Sequence, residues 1–509
     1  MLGESWNKLR NSRAAWNVSF GYLATISLIV RGLLAIPIAV AFLDQEQLGI
    51  WAVTSALMSY LVWADLGIGT ATGRLIADAV VKRDQSEINA WWSTTRICLF
   101  GLGGVVILLG LSFVNPLLDF FDVSTKNYES TKFLFIGAII SVGLGFPLRG
   151  APGLFTAQNR YHLTMISQAV IPWVQLAGFY SFLVLGWGLK AYLGAIVISL
   201  ITTWIFYTYF IFSGPNRPRF SRDGFEKKRI KRMFNLSGNM TVVGLVDSFL
   251  ETAPGFIIGS LGSLVMVPLY TISNRMPIMA QNIGKRTLQA FYPGLQSLYV
   301  KGNTAVFLSQ YRRVLMFVLS VGLFGSSGIL LVNPVLVSVL AGSTFYAGSY
   351  ANIWFALFMV TSIVAGSFRQ LLFVSGSMKK HALVAIAKLV SGIGLGVVGW
   401  IYWGYVGIAF VFAFLPLFNG IYCYYSGTAS CGIDRQKIGQ YILPWHILGS
   451  MLVVGSAFLQ AWMTELFPPM NYLVYGKTIS IPSAPPAIVT LIPAILASFI
   501  FWRYVRGKV

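Results

Sequence analysis

Seven ionisable side chains stand inside long apolar stretches of this 509-residue chain: Arg31, Asp65, Arg149, Asp247, Glu251, Arg275 and Arg369. An ionised group near the centre of a bilayer costs at least ~2.5–3.5 kcal/mol, so such groups face a wet cavity or a partner and mark functional sites. Arg31, Asp247, Glu251 and Arg275 lie nearest the middle of their stretches. Asp65, Arg149 and Arg369 lie in the half expected to face the cytoplasm. Arg74, Arg96 and Lys388 are close enough to that face to snorkel to it. Asp247 and Glu251 are four apart and share one helix face. Two carboxylates there repel when both are ionised, and a proton, a small cation or an arginine relieves them. The four arginines Arg31, Arg149, Arg275 and Arg369 carry planar guanidinium forks, which suit the oxygens of a phosphate. The chemistry on offer is therefore the holding of an anion and the exchange of a cation or proton at Asp65, Asp247 and Glu251. The alternative is that arginines and carboxylates only pair with one another and fix packing.

The elements that position these groups are set by composition. Hydrophobic residues make up 56% of the chain and charged residues only 10%, against about 25% charged in soluble domains. That excludes a disordered chain and leaves too few charges for the surface of a soluble enzyme. The net charge of +21 does not point to nucleic acid, because the basic residues are spread over many short connections. Cys98, Cys423 and Cys431 show neither metal-ligand spacing nor a disulfide pattern. Runs of about 20 apolar residues, enough to span a bilayer, occur at 17–43, 48–77, 93–114, 131–155, 164–186, 191–213, 235–260, 263–292, 313–340, 350–375, 383–402, 405–427, 441–463 and 486–503. The first follows a polar, basic N-terminus and reads as a spanning helix, not a cleaved signal.

With the N-terminus in the cytoplasm, 26 of the 37 basic residues fall in inside segments and 4 (Lys126, Lys132, Lys190 and Lys477) in outside ones. The positive-inside rule then places both termini in the cytoplasm. The chain also resembles itself at an offset near 219: Val81-Lys82 recurs as Val300-Lys301, Val114-Asn115-Pro116 as Val332-Asn333-Pro334, Arg149 as Arg369 and His162 as His381. Six spans per repeat is an even number, so the repeats are parallel. The expected fold is an all-α polytopic membrane protein of about fourteen transmembrane helices. It has two parallel six-helix repeats around a central cleft, plus two C-terminal helices. The expected parts are an N-lobe (1–213), a basic cytoplasmic linker (214–234) attracted to anionic lipid, a C-lobe (235–427) and the extra spans (428–509). Arg31 shifted by the repeat falls at Leu250, beside Glu251, which predicts an ion pair between the lobes or a coupling-cation site.

Leu48-Gly49-Ile50-Trp51-Ala52 and Asp65-Leu66-Gly67-Ile68-Gly69 resemble the oligosaccharide flippase (Wzx-type, polysaccharide transporter) family. So do Ile258-Gly259-Ser260-Leu261-Gly262 through Leu269-Tyr270, and Phe291-Tyr292-Pro293-Gly294. The family belongs to the multidrug/oligosaccharidyl-lipid/polysaccharide exporter group. The resemblance implies a bacterial inner-membrane protein that moves undecaprenyl-pyrophosphate-linked oligosaccharide between leaflets by alternating access, for O-antigen, capsule or a related glycan. Coupling would be to H+ or Na+, with no other cofactor. The implied partners are the lipid-linked oligosaccharide, membrane lipid and the glycan-assembly machinery. The competing readings are a flippase for the peptidoglycan precursor and a multidrug or small-molecule cation antiporter of the same group. A membrane glycan polymerase, ligase or glycosyltransferase is disfavoured. The outer connections at 115–130 and 464–485 are short for a catalytic domain, and no Gly-rich nucleotide loop with lysine occurs.

Overall fold

The computed structural model describes residues 13–214, 217–221, 226–302, 304–376, 378–466, 470–474, 477–481 and 491–505. The polar residues before Arg13, part of the linker including Arg222, and much of the outer connection 464–485 lie outside the described residues. Each of the fourteen expected runs holds helix among its described residues. Ten described helical stretches are long and apolar enough to cross a membrane. Helix is the physical consequence of the composition: in lipid each backbone N–H and C=O must be satisfied within the segment.

The chain divides into two compact units, one of residues 1–248 with 262–265 and one of 249–261 with 266–509. The first unit begins with α1 (Arg13–Phe42). Its second span is split into α2 (Gln45–Trp63) and α3 (Ile68–Val81). Next come α4 (Gln85–Ser112), the short α5 (Val114–Phe120), and a fourth span split into α6 (Thr125–Gly145) and α7 (Ala151–Ala157). The last spans are α8 (Tyr161–Val184) and α9 (Lys190–Phe212). Asp44 opens α2 with a capping box: its carboxylate accepts the Gln47 N–H at 2.9 Å while Gln47 Oε1 accepts the Asp44 N–H. Glu46 accepts the Ser124 N–H and hydroxyl and the Asn127 amide, tying the start of α2 to the start of α6. Asp84 caps α4, and the Ser86 hydroxyl and Glu87 N–H hold its carboxyl below the usual carboxylate range.

Both breaks, which the sequence analysis read as continuous spans, have a local cause. In the second span, Leu66 and Gly67 take left-handed φ of 52° and 69°, and Asp65 Oδ1 accepts the Gly67 N–H at 2.9 Å. This is an Asx-type turn that replaces a helical turn. In the fourth span, Phe146-Pro147-Leu148 form a single 3-10 turn. The two broken halves pack on each other. A Cβ on Gly153 of α7 would lie 2.3 Å from the Gly69 carbonyl and 2.8 Å from the Gly73 nitrogen of α3, so the backbones approach as only glycine permits. Around them lies a core of Ile68, Leu75, Ile76, Trp92, Leu99, Phe146, Leu154 and Phe155. Gly153→Ala is therefore expected to destabilise this unit by ~1–3 kcal/mol, the cost of overpacking. The reading is a lower thermal midpoint and lower membrane abundance, with Gly101→Ala as a neutral control because open space surrounds Gly101.

The long α10 (Lys227–Leu261) leads from the first unit into the second. Then follow α11 (Val267–Ser273) and α12 (Arg275–Val300), joined at a bend on Asn274, then α13 (Thr304–Leu340) and α14 (Ser349–Val374). The stretch α15 (Met378–Ser430) is two spans folded at Gly404, whose φ of 56° and ψ of −133° need a glycine. The C-terminal spans are α16 (Arg435–Leu466) and α17 (Ile492–Val505), packed on α13 and α14. Between them lies a feature the sequence analysis did not anticipate. In the outer connection, β1 (Met470–Val474) pairs antiparallel with β2 (Lys477–Ile481), and β2 lies along α13.

The residue pairs of the expected repeat stand in unequal settings. Arg149 sits at the broken middle of its span, whereas Arg369 lies within the continuous α14. His162 and His381 both occupy the first turn of the following helix.

Candidate functional site

In the first unit the structure brings Asp65 and Arg149 together at the two helix breaks. The last turn of α2 ends with unsatisfied carbonyls, and the Arg149 Nη1 donates to one of them, Val62 O. The guanidinium lies 4.4 Å from the Phe146 ring centroid, a cation–π contact. The Asp65 carboxylate is near enough to act on it electrostatically. The Asp65-Leu66-Gly67-Ile68-Gly69 motif thus has a definite job. It turns the chain, clears space for α7, and sets a carboxylate beside a guanidinium.

Arg31, on α1, donates through Nη2 to Gln175 Oε1 of α8 at 2.6 Å, and its Nε is buried without a hydrogen-bond partner. Below it, Ser27 donates to the Ala169 carbonyl and accepts from the Trp173 indole. A polar seam therefore runs between α1 and α8. Sequence reasoning missed Gln175, although it is one of only two amides, with Gln168, in the strongly apolar run 164–186.

In the second unit a small pocket of about 20 Å³, room for about one water molecule, opens beside Glu251. Its walls include Leu250, Pro254, Tyr270, Phe355 and Phe412, and its polar groups include Asn274. Asn274 is 8% exposed, and its side-chain oxygen has no hydrogen-bond partner. A carboxylate and an unsatisfied amide carbonyl on apolar, aromatic walls form an oxygen-donor set suited to a proton or a small hard cation. Asn274 was not foreseen; the signal available was an asparagine directly before Arg275 in a bend between apolar segments. Arg275, the first residue of α12, is exposed, while Arg369 and Asp247 are half-buried on α14 and α10.

The family model described as polysaccharide biosynthesis protein matches residues 17–298, more than half of the chain. The chain belongs to that family. The matched stretch carries six of the seven intramembrane ionisable residues of this polysaccharide biosynthesis protein, Arg369 excepted. No curated protein matches the sequence significantly. Among solved structures, the inward-facing conformation of a multidrug resistance MATE family transporter of the MOP superfamily is similar at TM-score 0.67 and 15% identity, covering 80% of this chain and 94% of that one. The lipid II flippase MurJ in an inward closed conformation is similar at TM-score 0.67 and 11% identity, covering 96% of this chain and 99% of that one. A MOP superfamily transporter from Pyrococcus furiosus, described as having a binding pocket of reversed polarity, aligns at TM-score 0.62 and 16% identity, over 83% and 97% of the two chains. This member of the polysaccharide biosynthesis protein family thus has the all-α fold of multi-pass membrane transporters. A fifth of it extends beyond the MATE likeness, and the MurJ likeness takes in nearly all of it.

Proposed function

We propose that the protein is a flippase that carries a lipid-linked oligosaccharide, joined to undecaprenyl through a pyrophosphate, across the bacterial inner membrane by cation-coupled alternating access. The observation that carries the proposal is the family match over residues 17–298. The chemistry supports an anionic cargo. Arg31 and Arg149 place guanidinium groups at membrane depth in one unit, and a fork that has given one N–H to Gln175 or Val62 keeps others for a phosphate oxygen. Coupling is assigned to a proton or Na+ at Glu251 in the second unit, with Asp65 and Asp247 of the first unit as the further candidate carboxylates. A bound cation moves such an equilibrium only by binding the two states unequally. On the distribution of basic residues, this reading puts both termini and the basic linker on the cytoplasmic side.

A peptidoglycan-precursor cargo is the second reading, favoured by the near-complete overlap with the lipid II flippase fold. Deleting the gene and analysing surface glycan and lipid-linked intermediates separates these. Loss of one surface polysaccharide with build-up of its undecaprenyl-linked unit is the expected result. Arrest of wall synthesis indicates the second reading. Intact glycan with altered drug tolerance rejects both in favour of an antiporter.

A further inference from the structure

The basic linker is not a loose tether where it is described; it is strapped to the first unit. Gln85 donates to the Arg217 carbonyl, Asn89 accepts the Arg219 N–H at 2.8 Å, and Ser93 accepts the Ser221 N–H at 2.8 Å. The strap thus follows one face of α4 over two turns. At its far end Arg229 grips Glu87 with two parallel bonds of 2.8 Å, the bidentate geometry that fixes an arginine in place. The guanidinium groups of Arg229 and Arg232 lie 4.9 and 5.7 Å from the centroid of the same Trp91 ring. Two like charges are held on one indole.

The result is a fixed cationic platform at the end of the unit where α3 meets α4, α7 meets α8, and α9 gives way to α10. Of the carboxylates in its midst, Glu87 and Glu226 are engaged by Arg229, and Asp84 is taken up in capping α4. Among the described residues, no carboxylate pairs with Arg217, Arg219, Lys227, Lys228 or Lys231, all exposed; Asp223 lies outside the described residues. Phe220, 67% exposed, stands among these cations. The platform adjoins the ends of spans, at headgroup level, where an apolar ring and lysine stems are at home.

We infer that this docked linker is a binding surface for anionic phospholipid in the adjoining leaflet. Fixing the cations in advance removes the ordering cost that a flexible basic segment pays when it binds. The inference does not depend on the cargo.

Native mass spectrometry of the purified full chain, titrated with phosphatidylglycerol and with phosphatidylcholine, tests it. The combined variant Lys227→Gln, Lys228→Gln, Lys231→Gln is expected to lose phosphatidylglycerol affinity about tenfold or more, at ~1 kcal/mol per cation near an anionic surface. Phosphatidylcholine binding stays the same, and so does the thermal midpoint, because these side chains are exposed. Asn89→Ala, which removes the acceptor of the Arg219 N–H with every charge still in place, is expected to weaken phosphatidylglycerol binding as well. Undiminished phosphatidylglycerol affinity in the lysine variant overturns the inference. So does loss in the lysine variant but not in Asn89→Ala, which would make the linker an unorganised basic tail, or co-purification of RNA or an acidic protein released by the same lysine changes.

Discussion

Replacing Glu251 with Gln lowers transport by about 5- to 150-fold, the range of a coupling free energy of ~1–3 kcal/mol, while protein abundance stays at the wild-type level. Gln has nearly the shape of Glu and keeps polar atoms in the pocket of Leu250, Tyr270, Asn274, Phe355 and Phe412, so packing is preserved. What it removes is the charge. A pocket that only fills space between α10, α11 and α14 tolerates that change. A pocket that takes up a proton or Na+ in one state and releases it in the other does not. The neighbouring Asn274 sharpens the test. Its orphaned side-chain oxygen is a buried acceptor left unsatisfied, a condition that costs ~1–3 kcal/mol. Asn274→Ala removes that cost, so it leaves the fold no less stable; if the proposed coupling site is correct, it also deletes a donor oxygen for the cation and lowers transport. The paired measurement is cation-driven flipping of a labelled lipid-linked sugar in vesicles, beside thermal midpoints of both variants. Wild-type flipping by Glu251→Gln removes the coupling role.

How far the sequence anticipates this structure follows from what each signal encodes. The spans were legible because a bilayer admits only long apolar helices, and hydropathy reports that requirement directly. The fold at Gly404 was legible for the same reason, as a two-residue gap between runs ending at 402 and starting at 405. The breaks inside the second and fourth spans were hidden, since hydropathy averages over them. Their local signs, Asp65-Leu66-Gly67 and Gly145-Phe146-Pro147, are turn chemistry that hydropathy does not weigh. The partners of the charged residues were less legible still. Arg31 meets Gln175 across 144 positions of sequence, and a repeat offset that points toward Leu250 holds no information about α8. The hairpin of β1 and β2 was missed because the segment was weighed only as a catalytic domain and found too short. Within the candidate site, Arg149 and Glu251 were found because charge inside an apolar run is costly. Gln175 and Asn274 were missed because neutral amides raise no such alarm.

Arg149 carries the second large expectation. Arg149→Ala removes a charge-assisted bond to the Val62 carbonyl, worth ~1.5–3 kcal/mol, and the stacking on Phe146, worth ~0.5–1 kcal/mol. It also leaves Asp65 without its cation. The loss of stability is expected at about 2–4 kcal/mol, visible as a lower thermal midpoint and lower abundance. That loss alone does not separate a staple across two helix breaks from a group that also touches cargo, and two further variants do. Asp65→Asn keeps an acceptor for the Gly67 N–H, so the turn survives and only the charge opposite Arg149 is lost. Arg149→Lys keeps the charge but not the planar fork that binds phosphate at two points. If Arg149 is a staple alone, transport per folded molecule stays constant across all three variants, because the fold has lost stability and nothing else. If the guanidinium also grips the pyrophosphate, transport per folded molecule drops in Arg149→Lys and Arg149→Ala. It holds or rises in Asp65→Asn, where the arginine no longer shares its charge with a carboxylate. The fork geometry favours the second pattern, since Val62 takes one N–H of a group built to donate several.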